Sequence, residues 1–149
     1  MKTYRSYSSE GTKKLAESFA RKILKRGPRR RNAIVLALSG ELGSGKTTFV
    51  QGFLRGLGVR RGGASPTFIL MRRHGLHRGK FKNIYHVDAY RIKKPDEFLS
   101  LDPKETLADQ RNIVLIEWAE NIKKILPKSA IWLCFSHTNK ENARKILFR

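Results

Sequence analysis

Apolar residues in the first third of the chain recur at two different periods, and the change of period marks the elements. Leu15, Ala16, Phe19, Ala20, Ile23 and Leu24 fall at helical spacing after Ser9, which predicts a surface helix over 10–26 with one buried stripe, stopped by Gly27-Pro28. Residues 33–38 are continuously apolar and are followed at once by Ser39-Gly40, the mark of a short strand buried on both faces. Helical spacing returns at Val50, Phe53, Leu54 and Leu57, giving a helix over 46–57 with Gly58 as its C-terminal stop. Farther on, 67–72 and 83–87 read as two strands joined by a basic loop into an antiparallel hairpin. A short helix is expected over 95–101, with Pro95 in its first turn and Asp96 and Glu97 near its positive end. Residues 112–116 form another buried strand, and 130–135 and 144–148 give the last two, separated by the polar turn 137–142. No internal repeat or low-complexity linker interrupts this order. The expectation is one α/β domain over 1–149, built on a mixed, mostly parallel sheet flanked by helices.

Composition adds charge to that picture. Among 149 residues, 32 Lys plus Arg face 12 Asp plus Glu, a formal net charge of +20. A hydrophobic fraction of 40% is enough for a core and excludes a disordered basic tail. The excess of cations favours contact with phosphates, whether on nucleic acid, nucleotides or an anionic surface. It is spread in blocks, among them Lys25, Arg26, Arg29, Arg30 and Arg31, and then Arg72, Arg73, Arg78, Lys80 and Lys82, a stretch without an acid. Either block reads equally as solvated surface. The longest apolar run is far shorter than the roughly 20 residues that cross a bilayer, and no apolar h-region follows the basic N-terminus, so no membrane association and a cytoplasmic location are expected. Cys134 is the only cysteine, which excludes an intrachain disulfide and fits core packing in a strand. His74, His77, His86 and His137 lack the spacing of a zinc site.

Chemistry enters at Gly40-Glu41-Leu42-Gly43-Ser44-Gly45-Lys46-Thr47, a full G-x-x-x-x-G-K-[ST] motif between a predicted buried strand and a predicted helix. Glycines let the backbone turn tightly against phosphate, successive N–H groups form an anion nest, and the helix opening at Lys46 presents its positive end. Lys46 is expected to reach the β- and γ-phosphates, and Thr47 to offer its hydroxyl to Mg²⁺. The fold expected is thus that of the P-loop NTPases. A phosphate cradle only binds; hydrolysis or transfer also takes a carboxylate close to the nucleotide, where a buried strand emerges. Asp88 follows strand 83–87 and Glu117 follows strand 112–116. One acid is expected to hold the metal and the other to orient or deprotonate the attacking water, with the assignment between them open.

The segments 40–49 (Gly-Glu-Leu-Gly-Ser-Gly-Lys-Thr-Thr-Phe), 65–68 (Ser-Pro-Thr-Phe), 86–91 (His-Val-Asp-Ala-Tyr-Arg) and 116–118 (Ile-Glu-Trp) together resemble the bacterial TsaE (YjeE) family over roughly 10–148. That family is the small P-loop ATPase of the pathway that makes N6-threonylcarbamoyladenosine at position 37 of tRNAs reading codons that begin with A. The resemblance implies ATP and Mg²⁺ as ligands, with Glu41, Leu42, Gly43, Ser44, Gly45, Lys46, Thr47 and Thr48 around the phosphates and Thr47, Glu117 and Asp88 near the metal. It also implies that Thr67 senses the γ-phosphate from a switch-like loop and that Trp118 stands beside the nucleotide. Asp88 and Glu117 match the two acids required for turnover. Tyr90 and Arg91 match a Tyr-Arg pair in which the arginine either stabilises phosphate charge or anchors the switch segment. The implied partners are the TsaB–TsaD heterodimer, with tRNA reached through that complex, and the protein alone is expected to be monomeric or weakly self-associating. Two other readings of the residues stay open: a small-molecule kinase sharing the P-loop, and an RNA-binding module that holds ATP without turning it over.

Overall fold

The computed structural model describes residues 1–29, 31–59, 70–77, 79–139 and 143–149. A seven-stranded sheet runs through it, from β1 (Lys2–Ser6), β2 (Ile34–Ser39), β3 (Met71–Gly75), β4 (Asn83–Asp88) and β5 (Asn112–Glu117) to β6 (Ile131–His137) and β7 (Arg144–Phe148). Their order across the sheet is β1-β7-β6-β2-β5-β4-β3. The four central strands β6, β2, β5 and β4 are parallel, while β3, β7 and β1 pair antiparallel at the two edges.

Strand parity divides the core into two layers, because successive side chains point to opposite faces. Leu36, Leu38, Ile84, Ile113, Leu115, Leu133 and Phe135 face one side and pack against α1 (Ser9–Arg26) and α2 (Lys46–Gly56). Val35, Ala37, Val87, Val114 and Ile116 face the other, under α3 (Pro95–Leu99), α4 (Pro103–Ala108) and a 3-10 segment, Ala119–Ile125. Burial on both faces explains why the central strands read as unbroken apolar runs.

The helix expected over 10–26 begins one residue earlier, because Ser8 rather than Ser9 caps it: the Ser8 hydroxyl accepts the Gly11 N–H at 2.9 Å. Its predicted stripe faces α2. Of the hairpin strand expected over 67–72, residues 67–69 lie outside the described residues, as does all of 60–69; the described strand, Met71–Gly75, ends beyond the expected boundary, a shift toward the C-terminus. Register carries that shift: Arg73 and His74 pair with Tyr85 and Ile84, so an edge strand extends through polar residues that hydrophobic periodicity assigns to a loop. The helix expected over 95–101 is α3 and ends at Leu99; a separate helix, α4, starts at Pro103 after Asp102 adopts a left-handed conformation, φ 47°, and Pro103 has no N–H to continue the earlier ladder. Three elements carry no sequence expectation: β1, α4 and the 3-10 segment. Among the described residues no helix is long and apolar enough to cross a membrane.

Candidate functional site

The site forms where β2 ends and α2 begins. Gly40 leaves β2 with φ +133°, and a Cβ there would lie 2.2 Å from the Phe135 carbonyl oxygen, so only glycine fits where the loop crosses β6. The chain then wraps to Gly45, left-handed at φ 101°, from which α2 starts with Lys46. Lys46 is 4% exposed, and its ammonium donates to the Gly40 and Glu41 carbonyls at 2.5 and 2.8 Å. The same nitrogen lies 3.8 Å from the Trp118 ring centroid, a cation–π contact. Burial pushes the Lys46 amine below its usual range, partly countered by the nearby Glu120, Glu117 and Asp88. A desolvated ammonium resting on carbonyls is held ready for an anion. Ser44 points to the same conclusion: its hydroxyl is buried within the loop with no hydrogen-bond partner, a cost that a phosphate oxygen would relieve.

On the facing side, β4 and β5 run parallel in a register that sets Asp88 beside Glu117. Both acids share the α2 face of the sheet, by the parity that places Ile84 and Leu115 there. The Thr47 hydroxyl donates to Glu117 Oε2 at 2.7 Å, and the His86 Nε2–H donates to Glu117 Oε1 at 2.8 Å, so both oxygens of a carboxylate with 2% exposure are fixed. Asp88 is half-buried, and its Oδ1 accepts the Tyr90 N–H at 3.0 Å. Past Glu117 the backbone turns left-handed at Trp118, φ 57°, which brings the indole back over Lys46; Tyr90 covers that ring at 4.8 Å between centroids. Glu120, two residues on, accepts the Gly40 N–H at 3.2 Å.

The residues anticipated for the site therefore lie together: 41–48, Asp88, Glu117 and Trp118 surround the same loop. Thr67, with the rest of 65–68, lies outside the described residues. Arg91 is exposed, while Tyr90 packs on Trp118. His86 and Glu120 have no individual role in the sequence reading. The signal for His86 was a polar residue two positions before Asp88 in an apolar strand, hence on the same face as the acid. Glu120 gives no such signal, because its approach to Gly40 depends on the turn at Trp118. Hard oxygen donors from Thr47, Glu117 and Asp88 beside a phosphate loop fit Mg²⁺, and the buried Lys46 and Ser44 fit a di- or triphosphate.

A family model described as "Threonylcarbamoyl adenosine biosynthesis protein TsaE" matches residues 6–146. The chain is 37% identical over 114 residues to a protein of Bacillus subtilis named "tRNA threonylcarbamoyladenosine biosynthesis protein TsaE", covering 76% of this chain and 68% of that one. A Rickettsia typhi protein of the same name is 39% identical over 120 residues, covering 80% of this chain and 75% of the relative. The solved structure of Bacillus subtilis YdiB superposes with a TM-score of 0.72 at 29% identity, covering 99% of this chain and 83% of that one. With the motif, the fold and the relatives in agreement, the chain belongs to the TsaE family.

Proposed function

We propose that this protein binds Mg·ATP at the loop 40–48 and hydrolyses it, as an accessory ATPase in the formation of threonylcarbamoyladenosine on tRNA. The observation that carries the reading is the 2.7 Å contact between the Thr47 hydroxyl and the Glu117 carboxylate at the mouth of an intact phosphate loop. A hydroxyl and an acid already paired there supply the metal side of the site, and the second acid beside them is left for water. Glu117, both of whose oxygens are held, is the metal-side acid, acting with Thr47. Asp88, at the end of the adjacent strand and less enclosed, orients the attacking water and takes its proton as the oxygen adds to the γ-phosphorus and the bond to the bridging oxygen breaks, releasing ADP and phosphate. When bound, Mg²⁺ neutralises charge on the β- and γ-phosphates. Lys46 exchanges its two carbonyls for phosphate oxygens, and the N–H groups of 43–48 with the Ser44 hydroxyl complete the cradle.

The partners that fit this reading are the TsaB–TsaD heterodimer and, through it, tRNA, with part of the RNA contact carried by the basic segment that joins β3 and β4. The test is phosphate release from Mg·ATP by the protein alone and with TsaB–TsaD and tRNA, using Lys46→Ala as the blank. Release that rises with the heterodimer and disappears in Lys46→Ala is the expected result, with Glu117→Gln and Asp88→Asn each lowering it by at least about tenfold, as loss of a positioned acid or base does. ATP binding without release under any of these conditions overturns the ATPase reading, and transfer of the phosphate to a metabolite replaces it with a kinase.

A further inference from the structure

We propose that the end of the sheet opposite the phosphate loop is a surface for single-stranded RNA, with a cleft that takes one unpaired base. The inference rests on the RNA contact in the reading above and extends it from one segment to a whole surface and a kind of RNA. Parallel topology creates that surface. β6, β2, β5 and β4 run in one direction, so the phosphate loop, Asp88 and Glu117 lie at their C-terminal ends, and the segments that lead into them share the other end. Those segments, 128–130, 29–33, 109–111 and 79–82, bring Lys128, Arg29, Arg31, Lys80 and Lys82 there, each of them exposed. The sole acid in the four segments, Asp109, is held by the Arg111 guanidinium at 2.8 Å. The last turn of α1 joins the same end. A Cβ on Gly27 would lie 3.4 Å from Lys80 Cδ, and one on Gly79 3.5 Å from Leu24 Cδ2, so basic blocks far apart in sequence meet in space.

A cleft of about 180 Å³ opens among these cations, lined by Phe19 and Ile23 of α1, Ile34 of β2 and Ile131 of β6. Arg26 and Arg29 border it, and both are exposed. None of the described lining residues is acidic. Its volume falls below the roughly 300–1,000 Å³ that encloses a whole small molecule, which leaves room for one planar group and not for a nucleotide. An apolar slot beside two guanidinium groups suits an unstacked base: the ring leaves water, a guanidinium plane stacks on it, and the phosphates on either side meet the row of cations. A base held inside a duplex cannot enter such a slot, so the geometry selects unpaired RNA. A polyanion bound by charge alone would use the cations and leave the cleft empty.

The test compares binding of a hairpin RNA with an unpaired loop and of a blunt RNA duplex with the same number of phosphates, over a range of salt. The proteins are wild type, the triple variant Arg26→Gln/Arg29→Gln/Lys128→Gln, and Ser129→Trp, which sets a bulky ring in the lining of the cleft. Wild type is expected to favour the hairpin by at least about fivefold, the low end of what stacking one base contributes. Ser129→Trp should lose that preference and keep its affinity for the duplex. The triple variant should bind both RNAs more weakly, with the fall of log affinity against log salt reduced by about 2–3, one phosphate contact for each cation. Equal affinity of wild type for hairpin and duplex overturns the base cleft, and an unaltered salt slope in the triple variant overturns the surface. Failure of wild type to bind either RNA, with TsaB–TsaD binding lost in the triple variant, replaces RNA with an acidic protein partner. ADP affinity, read on the same three proteins, should be equal in all of them. A wild-type protein that shows this RNA pattern but binds no ADP removes the nucleotide reading and upholds the surface, whereas ADP affinity lost only in the variants overturns the separation of the two ends.

Discussion

His86 is the residue whose part in the site is least visible from its type. Its imidazole and the Glu117 carboxylate are each 2% exposed at the side chain and 2.8 Å apart, and its Nδ1 is buried without a partner. The ring fixes the same acid that Thr47 holds, and if that acid is on the metal side, as proposed, His86 stands where outer partners of metal-binding carboxylates stand. His86→Ala should therefore lower turnover about 10- to 100-fold, raise the Mg²⁺ concentration needed for half-maximal turnover, and leave metal-free nucleotide binding within a few-fold. His86→Gln, which retains an N–H donor, should recover part of the loss. A Mg²⁺ dependence identical to wild type in His86→Ala, with only stability reduced, would confine the histidine to packing. The acids themselves were readable because an acid ending a buried strand is conspicuous, and the loop because its motif is complete. His86 was not readable as a partner because the contact arises from the β4–β5 register and from shared face parity, neither of which is written in one local segment.

Elements recognisable by apolar period were placed within a few residues: α1, α2, β2, β5, β6 and β7 all bury a continuous run or stripe. Those left unread are held by other forces. The β1 segment is mostly exposed and polar, and it exists by pairing residue for residue with β7 from Lys2–Phe148 to Ser6–Arg144. The 3-10 segment buries only Ala119 and Ile122, too few for a period. Inside α2, glycine has a packing role that helix propensity alone opposes: a Cβ on Gly52 would lie 2.4 Å from the Lys13 carbonyl oxygen on α1. Gly52→Ala gains intrinsic helix propensity of about 1 kcal/mol but must push two helices apart, and overpacking of this kind commonly costs about 1–3 kcal/mol. Chemical denaturation should show Gly52→Ala to be the less stable protein, and a midpoint above wild type would contradict the close approach of α1 and α2. At the turn into β5, the Arg111 guanidinium and backbone N–H hold the Asp109 carboxyl down to about 2 from 3.8. A carboxyl lowered on folding stabilises above its unfolded value and ceases to do so as pH falls through its folded one. The stability difference between wild type and Asp109→Asn should thus be present above about pH 4 and fade toward pH 2; a difference that persists unchanged to pH 2 would assign the effect to packing.

Charge is distributed unevenly over the molecule as a whole. Of 12 acids in a chain with formal charge +20, Asp88, Glu117 and Glu120 gather about Lys46, so the phosphate loop is a locally acidic spot on a strongly basic surface. The long-range field attracts polyanions, while the local acids favour phosphates that arrive with a divalent cation. Under the proposed function those two ranges would separate RNA contact from nucleotide chemistry. Arg73, Lys80 and Lys82 are exposed along and after β3, at one edge of the sheet; Arg78 and Arg30 lie outside the described residues. A cation that neutralises a nucleic-acid phosphate releases condensed counterions, and each such contact steepens the fall of log affinity with log salt by about 0.7–0.9. Replacing Arg73, Lys80 and Lys82 together with Gln should reduce the slope for tRNA by about 2–3 if all three make such contacts, with ADP affinity at fixed salt unchanged because none of them borders the phosphate loop. An unaltered slope would remove the β3 edge from RNA contact and transfer that role to the remaining cations. A parallel loss of ADP affinity would show that the two fields are not separable, and that the positive surface acts on nucleotide and RNA alike.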